Sequence, residues 1–202
     1  MLGSITPLGE RGRGSRWVLT ATAYLVGSVL GGLVVGAAAG LVGALTVGAL
    51  DVPAAARLAV LGVAVLGGFA LDLRLFGLRL PTNHRQVDEE WRSRYRGWVW
   101  GLGFGVQLGL GVVTIVTTST VYATVLGAAL TGSVTGGVVV GAVFGLARAL
   151  PVFAVARVRR PDQLLHVDGT LRRLAGPARR ATYVAGGTLA ATALALAGSV
   201  RW

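Results

Sequence analysis

WVLTATAYLVGSVLGGLVVGAAAGLVGALTVGAL, residues 17–50, runs for 34 positions without an Asp, Glu, Lys, Arg or His. A helix of about 20 apolar residues crosses the hydrocarbon core of a bilayer, so this stretch is long enough to span one with residues to spare. Two more such runs follow, 51 positions at 97–147 and 20 positions at 181–200. A soluble domain of this size needs a charged shell of roughly a quarter of its residues. Here only 13% of 202 residues are charged, and the mean hydropathy is +0.69. These features predict an all-α, polytopic transmembrane helix bundle.

The charge that exists is concentrated. An N-terminal arm carries Glu10, Arg11, Arg13 and Arg16, and the short segment 51–57 carries Asp51 and Arg57. Segment 72–96 holds six Arg against Asp72, Asp88, Glu89 and Glu90, and segment 148–180 holds eight Arg against Asp162 and Asp168. All 19 basic residues are Arg, which is most simply a matter of genome composition and carries no functional weight. The net charge of +11 fits the positive-inside bias and anionic lipid headgroups better than nucleic acid. The chain has no cysteine, so it has no disulfide, thiolate metal site or thiol redox centre. The first 16 residues are polar and basic, and the run after them exceeds a signal h-region, so no signal peptide is expected.

Arg-rich flanks remain cytoplasmic, so an even number of crossings must separate each pair of Arg-rich segments. Five spans satisfy this, with six or seven as the alternative. The first leaves the cytoplasm at Trp17, and Asp51 with Pro53 marks the external turn. The second returns by Leu71, the third leaves at Gly97, the fourth returns by Ala147, and the fifth runs outward from Ala181. The expected organisation is a single membrane domain: arm 1–16, hairpin 17–72, basic loop 73–96, hairpin 97–147, basic loop 148–180 and last span 181–202. This places the protein in the plasma membrane with its N-terminus cytoplasmic. Arg57 is expected to snorkel to headgroups. The surplus length at 37–50 and 117–135 reads as outer loop, tilted helix, or broken or re-entrant segment, the last only where protein or water covers it.

Two pairs of short matches suggest duplication. Arg11-x-Arg13-x-x-x-Trp17-Val18 recurs at Arg92-x-Arg94-x-x-x-Trp98-Val99, and Pro81-x5-Val87-Asp88-x3-Arg92 recurs at Pro161-x5-Val167-Asp168-x3-Arg172. The unit is a basic interfacial element followed by a membrane hairpin, and repeats of this kind are common among transporters. Val87, Trp91, Tyr95 and Trp98 line one predicted interfacial helix. Leu164, Val167, Leu171 and Leu174 line the other, with Asp168 and Arg172 placed to pair at i,i+4.

Small-xxx-small spacing is the commonest motif: Gly27/Gly31, Gly32/Gly36, Gly36/Gly40, Gly101/Gly105, Gly105/Gly109, Gly132/Gly136, Gly137/Gly141 and Gly141/Gly145. Its first meaning is close helix packing, its second a glycine-lined passage. Gln107 is the one carboxamide within a predicted span; Thr114 and Thr118 follow near its face, and Thr124, Thr131 and Thr135 form a second stripe. An interhelical hydrogen bond explains Gln107 structurally, and a weakly polar solute pathway explains it functionally. Asp88, Glu89 and Glu90 are expected to pair with neighbouring Arg rather than bind a cation. His84 and His166 fall outside the spans. No nucleophile–base set, metal cluster, cofactor site or nucleotide loop is present, so neither enzyme activity nor a cofactor is expected. Arg148 lies inside the membrane if the fourth helix continues past Pro151 to Ala156, and a charge there is a functional candidate.

The size, the repeated hairpins and the run Gly101-Leu-Gly-Phe-Gly resemble the small polytopic proteins of the cytochrome-c-biogenesis/DsbD and sulfite-exporter-like group. That resemblance implies a fold of three-helix repeats in opposite orientation and an exporter-like role. The redox members of the group carry Pro-Cys pairs in two helices, whereas the stretch after Gly111 here is Thr-rich, so no electron-carrying role transfers. The basic segments on one side also argue against simple inverted repeats of three. Two functions follow as expectations: a small-solute transporter with its pathway at Gln107 and the Thr stripes, or a non-catalytic membrane subunit anchoring a partner through the Arg-rich face. The expected partners are anionic headgroups of the bilayer and a second copy or another protein, and not nucleic acid.

Overall fold

A computed structural model describes residues 6–12, 14–75, 96–111 and 119–199. Among these there are seven α-helices and no strand. They are α1 (Pro7–Gly12), α2 (Trp17–Gly43, prolonged by a π-helical turn Ala44–Gly48), α3 (Ala54–Asp72), α4 (Gly97–Leu110), α5 (Thr120–Leu130), α6 (Val134–Ala149, prolonged by a 3-10 segment Leu150–Val155) and α7 (Pro161–Ser199). Four helical stretches are long and apolar enough to cross a membrane: Trp17–Gly48, Ala54–Asp72, Val134–Val155 and Asp162–Ser199.

The central helix is α2, and its packing is the reverse of a water-soluble helix. Apart from Tyr24, its buried positions are small, among them Thr20, Ala21, Gly27, Ser28, Gly31, Gly32 and Gly36. Its large aliphatic residues, such as Val18, Leu30, Val34 and Leu45, point outward. Lipid tails are as apolar as leucine, so burying leucine gains little in a bilayer; close backbone contact and hydrogen bonds hold the helices instead. One glycine row of α2, Gly27 and Gly31, lies on α4, and a second, Gly32, Gly36 and Gly40, lies on α6. The carbonyl of Gly141 would meet a Cβ at Gly32, and the Ser133 carbonyl stands 2.6 Å from one at Gly40. Ser28, fully buried, donates its hydroxyl to the Gly145 carbonyl at 2.7 Å and locks the same seam.

The contact register gives the directions. Gly101, Gly105 and Gly109 meet Thr20, Tyr24 and Ser28 in turn, so α4 runs parallel to α2. Gly137, Gly141 and Gly145 meet Gly36, Gly32 and Ser28, so α6 runs antiparallel to it. Gly62 lies against Ala190 and Leu194 while Phe69 lies against Gly186 and stacks edge-on with Tyr183 at 5.0 Å, so α7 runs antiparallel to α3. The bundle therefore has an arm side, where Trp17, Gly97 and Pro161 begin their helices, and an Asp51 side, where the turns 49–53 and 131–133 lie. Asp51 takes a left-handed conformation (φ 50), which Asp tolerates in a tight turn. Arg57, half-buried, donates to the Val52 carbonyl at 2.7 Å and lies beside Gly132, bracing both turns.

Residues 37–48 form neither an outer loop nor a re-entrant segment: α2 continues to Gly48, and Ala49 and Leu50 open the Asp51-side turn. The fourth crossing reaches Val155 rather than stopping at Ala147. Residues 161–180, expected as a separate interfacial helix, are the first half of the 39-residue α7, which carries Pro177 inside it. The Asp168–Arg172 pair forms there at 2.8 Å on the exposed surface and supports the helix only slightly. The other predicted interfacial helix, with His84, Val87, the acids at 88–90, Trp91 and Tyr95, lies outside the described residues. So do the copies of both repeat motifs at 81–94, and the repeat has no structural comparison to rest on.

Candidate functional site

The third crossing is made of two pieces. At 14 and 11 residues, α4 and α5 are each too short to span a bilayer. α4 follows the arm-side half of α2 and ends with Leu110 beside Gly31. Gly111 then turns to a positive φ of 68°, a conformation that favours glycine and ends the helix. α5 starts at Thr120 and climbs to the Asp51 side, where Ala129 meets Gly43 and Gly132 meets Gly48. Twelve residues separate Thr120 from Gly132, a rise of about 18 Å at 1.5 Å per residue, so α5 begins near the middle of α2. The two ends of the interruption face one another: a Cβ at Gly111 would stand 3.2 Å from Val121 Cγ1. Breaks of this kind survive at membrane depth only where protein or water covers the freed backbone groups.

Each end has a charged neighbour. Asp72, the last residue of α3, receives the Ser119 N–H on Oδ1 at 2.9 Å and on Oδ2 at 3.1 Å, and the Ser119 hydroxyl on Oδ2 at 2.8 Å. A carboxylate here meets the positive end of the α5 dipole and satisfies donors that the helix leaves without partners. Approach is permitted by Gly68, where a Cβ would stand 2.8 Å from the Ser119 side chain. On the other side, the Phe144 ring closes on Gly111 at 3.0 Å from its Cβ direction, and the Arg148 guanidinium sits 5.4 Å over that ring. Arg148 is half-buried and within electrostatic range of the buried Tyr24, which stacks on Phe104 at 5.6 Å. The continuation of α6 to Val155 puts Arg148 within the fourth crossing.

A cavity of about 570 Å³ opens beside the interruption between α3, α5 and α7. Its polar lining is Ser119, Thr120, Thr124 and Thr182; Leu61, Val65 and Phe69 supply much of the apolar remainder. A second cavity of about 440 Å³ lies on the other flank of Ser119, against Gly67, Gly68 and Tyr122. Ser119 and Ala123 belong to both.

The sequence-derived candidates scatter around this arrangement. Thr124 lines the larger cavity, its hydroxyl donating to the Thr120 carbonyl at 2.8 Å. Gln107 is half-buried on α4, on the face turned from Gly101, Gly105 and Gly109, and lines neither cavity. Thr131 belongs to the Asp51-side turn, donating to Ala128 at 2.7 Å and to Ser133 at 3.0 Å, and Thr135 is exposed in the first turn of α6. Thr114 and Thr118 lie outside the described residues. Three polar residues were not singled out by the sequence reading. Asp72 and Ser119 are two; an acid closing an apolar run and a Ser-Thr pair opening a helix were the available signals. Glu10 is the third: fully buried, it accepts from Thr20 Oγ1 at 2.9 Å under Gly97 and so fastens the arm to α2 and α4.

The fold defines a polytopic helical membrane protein in which the path from Gly97 to Gly132, from the arm side to the Asp51 side, is divided between two short helices, α4 and α5. A family model, described as cytochrome C biogenesis protein transmembrane region, matches residues 2–175. The chain belongs to that family. No curated protein and no solved structure matches it. With no cysteine, it has no residue that could carry thiol–disulfide exchange.

Proposed function

We propose that this protein is a passive transporter of small, weakly polar solutes, seated in the plasma membrane with its arm side cytoplasmic. The observation that carries the reading is the interrupted crossing, with Asp72 held on the N-terminus of α5 and the hydroxyl-bearing cavity beside it. Discontinuous helices form substrate sites near the midplane of many transporters because their freed backbone groups and dipole ends are available there. The cavity offers hydroxyls on a largely apolar wall, which suits a neutral solute that exchanges a few hydrogen bonds with water. The cytoplasmic arm side follows from the Arg-rich segments that begin there.

Osmotic swelling of proteoliposomes in glycerol and urea gradients tests this. The protein should admit at least one of these solutes faster than empty liposomes, and Thr124→Trp, which fills the cavity, should remove most of the gain. Rates equal to those of empty liposomes would leave the second reading, a membrane subunit that anchors a partner. That alternative is favoured by the arm-side half of α7, which exposes Arg172, Arg173, Arg179 and Arg180 beyond the uncharged run.

A further inference from the structure

A cleft of about 680 Å³ lies at the arm side, away from the interrupted crossing. Its walls come from two distant parts of the chain: Arg11, Ser15, Arg16, Trp17 and Val18 from the arm and the start of α2, and Ala156 and Arg159 from the segment leading into α7. Three arginines thus line it, two from the arm and one from the segment before α7, all of them exposed. The acid nearest in sequence, Glu10, is buried and accepts the Thr20 hydroxyl at 2.9 Å. The position matters as much as the charge. Trp17 opens the uncharged run, so the cleft sits where headgroups meet acyl chains, and Trp17 and Val18 give it an apolar wall on the membrane flank. Basic clefts between transmembrane helices bind phosphate-bearing headgroups, and arginine pairs with phosphate through two parallel hydrogen bonds.

We infer that this cleft is a binding site for the phosphate of an anionic phospholipid headgroup. The lipid bridges the arm to the segment between α6 and α7, with its acyl chains running along Val18. The site is independent of the cavity beside α5 and of any transport through it.

The test is native mass spectrometry of the full-length protein released from nanodiscs containing phosphatidylglycerol and phosphatidylcholine. The wild type should retain phosphatidylglycerol selectively. Arg11→Gln/Arg16→Gln/Arg159→Gln should weaken that retention by about fivefold per arginine. Arg172→Gln/Arg173→Gln/Arg179→Gln removes the same charge from exposed positions of α7 and should leave retention unchanged. Thermal unfolding checks that both variants are folded; a cleft variant that fails this check is replaced by Arg159→Gln alone, for which a fivefold loss is expected. Equal losses in the two triple variants would overturn the inference in favour of diffuse attraction. Full displacement of the lipid by inorganic phosphate would overturn it in favour of a soluble anion. Equal retention of phosphatidylcholine would overturn it outright.

Discussion

Gly141→Val should destroy the folded protein. A Cβ at Gly141 meets the carbonyl oxygen of Gly32, with Gly32 C and Gly36 Cα both 2.9 Å away. These atoms are backbone, so no side-chain rotation can relieve the clash; α6 must move off α2 along the whole seam. Overpacking a well-packed interior costs about 1–3 kcal/mol where side chains can yield, and the cost here should exceed that range. The Ser28–Gly145 hydrogen bond would be lost with the seam. The measurement is the melting temperature and monodispersity of the purified protein in detergent. Gly187→Ala is the control: nothing lies within 4 Å of a Cβ there, so the change should be neutral or stabilise the helix by about 0.5–1 kcal/mol. A Gly141→Val protein that melts at the wild-type temperature would refute the packing described.

Asp72→Ala should have the second largest effect. It deletes the acceptor for the Ser119 amide and hydroxyl and the charge that faces the α5 dipole. Hydrogen bonds to a charged group contribute about 1.5–3 kcal/mol, and a lost helix cap about 0.5–2, so a loss of about 2–3 kcal/mol is expected. The loss should be local as well as global: amides at the start of α5, from Val121 to Thr124, should exchange with deuterium faster, while those of α2 hold. Asp72→Asn keeps one acceptor and should fall between Asp72→Ala and the wild type. Asp168→Ala removes an acid of the same type from an exposed i,i+4 pair and should change stability by less than about 0.5 kcal/mol. Equal effects at Asp72 and Asp168 would mean that the α5 N-terminus is not anchored as described.

Uncharged run length made the helical membrane fold legible in the sequence. Glycine spacing made the seams legible too, because a row such as Gly32, Gly36 and Gly40 has few uses in lipid other than close backbone contact. The interruption was harder to read. The run 97–147 contains no proline or charge to mark a break, and its surplus of residues fits a loop as well as a broken helix. Asp72 escaped notice because its meaning depends on Ser119, 47 residues away, meeting it across the α3–α5 contact. Gln107 drew attention by its chemistry, yet periodicity alone cannot say which face of α4 meets α2; the glycines at 101, 105 and 109 took that face and left Gln107 on the other. Residues 161–180 looked like a separate element because the Arg-rich segment ends at Arg180, but helical structure does not follow charge, and α7 passes through that boundary.

The most direct test of the interrupted crossing is thiol accessibility, which the absence of native cysteine makes clean. Thr124→Cys places a thiol in the cavity beside the break, and Val139→Cys places one on the exposed outer face of α6, near the level where Gly137 meets Gly36. A membrane-impermeant, charged thiol reagent applied to oriented vesicles should modify Thr124→Cys from at least one side and leave Val139→Cys untouched. Protection of both positions from both sides would contradict a water-accessible site at the interruption.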